Sequence, residues 1–445
     1  MIKNSFYVDN AQWLFAGALL TFSTAFGQTF FISLFASELR NYFNISHSMW
    51  GAIYATGTLS AATLMLIVGG LADNYRARPL TLTIMGLFML SSFMMATVSS
   101  IWLLPLIIFG LRFCGQGMLS HLAMVFAGRW FSKNRGRTIG IASLGLSISE
   151  AFMPYLFVFL TGILGWRGSW GVATVLIAFL AVPMSFLLSK ERNPKSSGDG
   201  TKQKVTGMQG RHWKRTQVLK HWVFWLALPA LLVQPIFSTT FFFQQVYFTE
   251  IKNWPLELYV ALIPIYTITS LGGLLIGSLI IDRYRTPILL PLYLLPMAVG
   301  LIIGANADTL IGAGICFMFL GLMQGLGATV SGAFWPEFYG TKHLGSVRSV
   351  AMSLMVFATA LGPLGSGILI DRGIGLELQY TLMAGITLAA CGAMLCVTIG
   401  TKKNVLEKQS LVKVITKNSL NESNFPEAKD FKREIINKTK NIYHH

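Results

Sequence analysis

Arg112 and Glu150 carry the most chemistry in this sequence, because each places a strongly ionisable group deep inside a long apolar stretch. Arg112 follows Ile101, where one stretch begins, by eleven residues, and Glu150 follows Thr138, where the next begins, by twelve. At 1.5 Å per helical residue both lie about 17 Å deep, measured from opposite ends. Antiparallel neighbours at equal depth can pair and share the cost of burial. Such a pair either fixes two helices together permanently or is opened by a solute or a proton. An anion would be held by the planar Arg112 fork, and protonation of Glu150 would free the guanidinium.

Further polar residues recur at helical spacing. Thr21, Thr24 and Gln28 form one stripe, and Gln234, Ser238 and Gln245 form another. Hydrogen bonding between helices and contact with a solute both use such stripes. Tyr54, Tyr259 and Tyr266 offer hydroxyls or plain aromatic packing, and His121 reads as a packed or interfacial histidine. An enzyme needs convergent His, Asp, Glu or Cys at one depth, and the sequence suggests no such set. Cys114, Cys316, Cys391 and Cys396 fall within apolar stretches as small hydrophobes, without metal-ligand spacing. No Gly-x-x-x-x-Gly-Lys-[Ser/Thr] loop occurs, so neither ATP, a metal nor another cofactor is expected.

The elements that must position these residues follow from composition. Hydrophobic residues make up 53% of the 445 positions and charged ones 12%, half the usual charge of a soluble domain, so a soluble enzyme is excluded. Apolar runs of bilayer-crossing length recur throughout. Twelve spans are predicted: Trp13 to Ala36, Ser48 to Ala72, Leu80 to Val98, Ile101 to Phe126, Thr138 to Gly162, Gly168 to Ser189, Val223 to Tyr247, Leu256 to Ile281, Pro287 to Ala305, Leu310 to Phe334, Val347 to Ile370 and Thr381 to Thr398. They divide the chain into a six-helix bundle over 1–189, a cytoplasmic linker over 190–220, a second six-helix bundle over 221–400 and a basic tail over 401–445.

The net charge of +17 does not signal nucleic acid, because the charge alternates between loops instead of covering one folded face. Thirty of the 35 Lys and Arg residues fall in alternate loops and the two termini, which places both termini in the cytoplasm of an inner-membrane protein. The first span is full length with no small-residue cleavage pattern, so it reads as an uncleaved anchor. The linker carries Pro, Gly and Ser among basic residues and reads as flexible; the tail reads as a solvated extension with weak attraction to anionic lipid.

The halves repeat. A shift of 209 positions carries Asp73 to Asp282, Arg76 to Arg285, Gly136 to Gly345 and Pro154 to Pro363. Glu38-Leu39-Arg40-Asn41 answers Glu250-Ile251-Lys252-Asn253 at a shift of 212, which implies a small length change. The same 209 carries Arg112 to Gly321 and Glu150 to Thr359, so the charged site has no counterpart. Repeated halves in an all-helical membrane protein point to a secondary transporter with its site at the repeat interface.

Gly69-Gly70-Leu71-Ala72-Asp73-Asn74-Tyr75-Arg76-Ala77-Arg78 resembles the major facilitator signature Gly-x-Leu-Ala-Asp-Arg-x-Gly-Arg-Arg, matching at Gly69, Leu71, Ala72, Asp73 and Arg78. Arg112-Phe113-Cys114-Gly115-Gln116-Gly117 resembles the family's Arg-x-x-Gln-Gly-x-Gly with its order disturbed, and Gln324-Gly325-Leu326-Gly327 restores that order with Gly321 in place of the Arg. The resemblance spans about residues 13–400. It implies a twelve-helix, all-α major facilitator fold in two pseudo-symmetric halves that rock around a midplane cavity lined by the first and seventh helices. Arg112, Glu150, Gln28, Thr24, Gln116, Gln234, Ser238, Gln245, Tyr266 and Gln324 are then the candidates for binding or coupling. Gly69, Asp73, Arg76, Arg78, Asp282, Arg285, Pro154 and Pro363 are the candidates for gating, with Asp73 expected to meet the eleventh helix.

Phe26-Gly27-Gln28, Arg129-Trp130-Phe131 with Arg135-Gly136, and Gly362-Pro363-Leu364-Gly365 are similar to the oxalate/formate antiporter and monocarboxylate transporter branch. That similarity implies a small organic anion moved by symport or antiport with protons or a counter-solute, by a monomer in the bilayer. Departing from that branch, the eighth and eleventh spans hold no Lys or Arg within the membrane. Two other readings stay open: a proton-driven exporter of amphipathic metabolites or drugs, and a membrane receptor on the same fold.

Overall fold

A computed structural model describes residues 6–131, 135–190, 207–340 and 342–402, and the described residues contain helices and no strand. Among the described residues nine helices are long and apolar enough to cross a membrane, and ten when a bent pair counts as one span. In chain order α1 is that pair, Ala11–Gly27 and Thr29–Phe43, bent by 43°. Then come α2 (His47–Val68), α3 (Ala77–Thr97) and α4 (Ile101–Ala127). The next helix, Arg135–Leu187, is 53 residues long with Gly165 at φ 67° inside it. Uninterrupted it would reach about 80 Å, far more than a bilayer's roughly 30 Å of hydrocarbon. Gly165 adopts the positive φ at little cost and divides it into α5 (135–164) and α6 (166–187).

The second half runs through α7 (Trp222–Phe243, continued by Gln245–Lys252), α8 (Leu256–Tyr284) and α9 (286–305, of which Leu295–Ala305 is regular helix). It ends with α10 (Leu310–Tyr339), α11 (Leu344–Asp371) and α12 (Leu376–Lys402). The twelve expected segments thus all fall on helix, and a count of twelve crossings depends on dividing at Gly165 and on the short α9.

Backbone detail carries the repeat further than the sequence does. Phe35 (φ −96°, ψ 10°) interrupts α1 and Gln244 (φ −92°, ψ 9°) interrupts α7, at a separation of 209. Asn44 and Asn253, also 209 apart, end these segments in the left-handed conformation that Asn tolerates. The shift of 212 read around Arg40 is therefore a sequence coincidence, and no length change separates these ends. Ser46 caps α2 by accepting a hydrogen bond from Met49 N at 3.2 Å, and Thr309 caps α10 by accepting from Gly312 N at 3.3 Å.

Glycines set the close crossings. A Cβ on Gly145 of α5 would sit 1.8 Å from Ala18 O of α1, and one on Gly325 of α10 would sit 2.0 Å from Ser270 O of α8. Gly273 of α8 meets Leu322 O in the same way, whereas Gly140 and Gly272 face open space. The contact between α1 and α5 thus runs through Gly145.

Residues 207–220 depart from the flexible linker expected there. Trp213 N donates to Tyr339 O at 3.0 Å, and its ring, 3% exposed, lies 4.6 Å from His221 and 5.9 Å from Tyr339. Burying that indole is what fixes the segment to the end of α10. The rest of the expected linker, 191–206, and the tail beyond residue 402 lie outside the described residues.

Candidate functional site

Helix α4 leaves α geometry where its charge sits. Residues Arg112–Leu119 form a π-helix, whose bonds enclose one residue more per turn than the α ladder. The sequence explains it: Gln-Gly stands three residues after Gly321 in α10 but four after Arg112 in α4. The wider turn absorbs that slip.

Arg112 is 2% exposed. Its Nη1 donates to Gly27 O at 3.1 Å and to Thr29 Oγ1 at 3.3 Å, and its guanidinium carbon lies 5.2 Å from the centre of the Tyr54 ring. Tyr54 is fixed in turn by a 2.6 Å hydrogen bond between its hydroxyl and Thr29 Oγ1. Gly27 presents its carbonyl because Gln28 is extended (φ −85°, ψ 155°) and breaks the α1 ladder there. The Nε and Nη2 of Arg112 are buried without a hydrogen-bond partner. A guanidinium in that state is costly unless something pairs with it.

The expected pairing of Arg112 with Glu150 is not made: no ion pair or hydrogen bond joins them among the described residues. Equal depth placed them at one level, but Arg112 turns to the broken backbone of α1 instead. Glu150 lines a separate, polar lobe of about 260 Å³ with Gln28, Thr29, Gln116, Gln234, Ser238, Tyr266, Gln324 and Thr359. Gln234 Nε2 donates to Gln324 Oε1 at 3.1 Å across that lobe. Thr359 stands where the repeat relates it to Glu150, so the two halves contribute equivalent positions with unequal chemistry.

A larger lobe of about 560 Å³ is lined by Arg112, Gln116, Ser120 and His121 together with Ala61, Met65, Met124 and Phe357. Gln116 belongs to both lobes. His121 Nε2 lies 3.1 Å from Gly69 O, so this histidine joins α4 to the end of α2 at the cavity wall.

Two expected lining residues lie elsewhere. Thr24 is fully buried, and its hydroxyl donates to Thr21 O at 2.6 Å, because α1 tightens to 3₁₀ geometry over Thr24–Gly27 and turns that position inward. Gln245 is also fully buried, and its Nε2 donates to Phe30 O and Ser33 Oγ, both at 2.8 Å. It joins the halves instead of facing a solute.

Gln245 is part of a closed end. There Ser33 Oγ donates to Phe242 O at 2.7 Å, and Arg40 pairs with Glu250 at 3.6 Å. Asp371, at the end of α11, accepts from the backbone N of His47 (3.2 Å) and Ser48 (2.8 Å) at the start of α2, where a carboxylate is favoured. Gly51 of α2 lies against Pro363 O, 2.8 Å from where its Cβ would be, so Pro363 marks the crossing of α2 and α11. Pro154 is buried within α5. The larger lobe runs the other way, along Met65, Gly69, His121 and Met124, toward the end with the basic loops.

At that basic end Arg78 Nη2 donates to Ser185 Oγ at 2.9 Å, Arg76 and Asp282 are exposed, and the Asp73 side chain lies outside the described residues. Arg285 approaches Glu337 at 3.9 Å, and Glu337 also accepts from Thr286 N at 3.3 Å. Glu337 is absent from the sequence expectation because the repeat takes it to Gly128, which has no charge to match.

The profile of the Major Facilitator Superfamily matches residues 17–363. The chain belongs to that superfamily. Like other Major Facilitator Superfamily members it is a transporter by fold, not an enzyme. No curated protein matches it in sequence. Among solved structures it is similar to a bacterial homologue of the human lysosomal transporter Spinster, in an inward-facing and unoccupied conformation. The TM-score is 0.63 at 16% identity, over 89% of this chain and 95% of that one. It is also similar to the nucleoside transporter NupG, with a TM-score of 0.66 at 13% identity over 86% and 98%. At such identities the likeness concerns the fold alone.

Proposed function

We propose that this Major Facilitator Superfamily protein is a secondary active transporter of a small organic anion, with a carboxylate held by Arg112, and that it works by alternating access. The observation that carries the reading is Arg112, which lines a cavity between the halves and whose Nε and Nη2 are buried without a hydrogen-bond partner behind that wall. Two parallel N–H donors match a carboxylate, and the anion would supply the pairing that the free protein lacks. The cavity lies between a bonded end and an end where the larger lobe extends, which is the arrangement of one access state. The apolar wall of Met65, Met124 and Phe357 supports a second reading, export of amphipathic solutes. Uptake into proteoliposomes of labelled monocarboxylates, sugars and lipophilic cations separates the two. Carboxylate uptake lost in Arg112 variants supports the first, and flux of lipophilic cations alone rejects it.

The basic loops support an orientation with the open end on the cytoplasmic side of an inner membrane. A reporter fused after residue 402, or inserted near Gly200, is expected to read cytoplasmic in both positions. Activity of a periplasm-dependent reporter at either site contradicts that orientation.

A further inference from the structure

The two lobes hold one Arg and one Glu, Arg112 and Glu150, and no other Asp, Glu, Lys or Arg among their lining residues. These opposite charges do not pair with each other. Glu150 makes no hydrogen bond or ion pair with a described residue, and Arg112 keeps two donor atoms free. Arg112 is buried and Glu150 half-buried in the cavity wall, where an unbalanced charge is expensive.

A simple monoanion bound at Arg112 leaves the site with one net negative charge. That excess is removed in one of two ways: a proton on Glu150, or a positive group on the solute itself. The surroundings of Glu150 favour the second. A neutral carboxylic acid needs little from its neighbours, whereas an ammonium needs up to three acceptors. The small lobe supplies the Glu150 carboxylate, the Gln28 amide oxygen and the hydroxyls of Ser238, Tyr266 and Thr359. Gln116 is on the wall of both lobes, so the lobe lined by Arg112 adjoins this acceptor set. The aliphatic wall of Met65 and Met124 suits a methylene chain.

We infer that the solute is a zwitterion whose oxyanion is held by Arg112 and whose ammonium is held by Glu150. This rests on the reading of Arg112 as an anion site and adds the second charge. With both ends engaged the complex is neutral without a proton.

The test uses matched compounds on the purified full-length protein in detergent: ω-aminocarboxylates from 4-aminobutyrate to 8-aminooctanoate, the straight-chain carboxylates of equal length, and the corresponding amines. Binding is read by titration calorimetry. At the best-fitting length the aminocarboxylate is expected to bind about tenfold or more tighter than its carboxylate and its amine, since charged hydrogen bonds contribute at least that much. Glu150→Gln is expected to bring that ratio close to one. Carboxylates binding as tightly as aminocarboxylates at every length, with affinity lost in Arg112→Lys, overturns the zwitterion and leaves the anion site standing. A preference for aminocarboxylates that survives Glu150→Gln overturns the assignment to Glu150. If no compound of the three classes binds, both the zwitterion and the anion site fail. The wild-type comparison needs no variant, so a poorly folding mutant does not spare the inference.

Discussion

Arg112→Lys is expected to reduce carboxylate transport by about a hundredfold while the protein remains folded. The native side chain is already oriented on one edge: Nη1 is held by Gly27 O and Thr29 Oγ1, and the guanidinium lies over Tyr54. That leaves Nε and Nη2 as a pair of parallel donors. Lysine retains the charge, so the electrostatic setting of the cavity survives, but a point charge on a flexible stem cannot satisfy Gly27 O, Thr29 and a carboxylate in one plane. Loss of two charge-assisted hydrogen bonds at roughly 1.5 kcal/mol each accounts for the magnitude. Initial rates of labelled carboxylate uptake in proteoliposomes measure it, with thermal unfolding as the control for folding. Normal uptake by the lysine variant would show that the fork is not what binds the solute.

Gly145→Val is expected to abolish recovery of folded, monodisperse protein, whereas Gly140→Ala in the same helix changes little. A Cβ at Gly145 would sit 1.8 Å from Ala18 O and 2.5 Å from Thr21 Oγ1, so both the backbone of α1 and a buried hydroxyl are in the way. Thr21 cannot yield, because it also hydrogen-bonds Ala142 O on α5. Separating two packed helices over such a contact costs about 3 kcal/mol or more, a large part of ordinary stability. A Cβ at Gly140 would meet no packed neighbour within 4 Å among the described residues, and a surface alanine is neutral to within about 0.5 kcal/mol. Size-exclusion profiles and unfolding midpoints of the two variants check the contrast. Equal behaviour would mean that α1 and α5 are not packed through this glycine.

Much of the architecture was legible because a bilayer imposes length and apolarity on each helix, and because a repeat leaves a constant offset. The 209 shift that relates Arg76 to Arg285 also relates the backbone breaks at Phe35 and Gln244. Rotation about each helix axis was not legible. Depth along α4 and α5 can be counted from residue number, but which way Arg112 and Glu150 point depends on local winding. The π-helix over Arg112–Leu119 alters that winding in α4. The same effect misplaced Thr24: its stripe assumes 3.6 residues per turn, and α1 changes to 3₁₀ geometry at that residue. Gln28, just past the break, still reaches the cavity. Trp213, in a segment read as flexible, shows the other limit, since a single buried indole fixes a stretch whose composition is that of a linker.

Rocking of the halves about the Arg112 and Glu150 cavity is the central claim, and distances across both ends test it most directly. Spin labels at Tyr42 and Asn253 report on the bonded end, and labels at Tyr75 and Tyr284 report on the basic end, each pair in a cysteine-free background in lipid vesicles. The measurement is made in the parent and in Arg40→Gln/Asp371→Asn, which removes the contact with Glu250 and the carboxylate cap of α2. The account predicts that the variant gains a population in which the bonded-end distance is longer and the basic-end distance shorter. Two distances that stay fixed, or that lengthen together, would contradict alternating access.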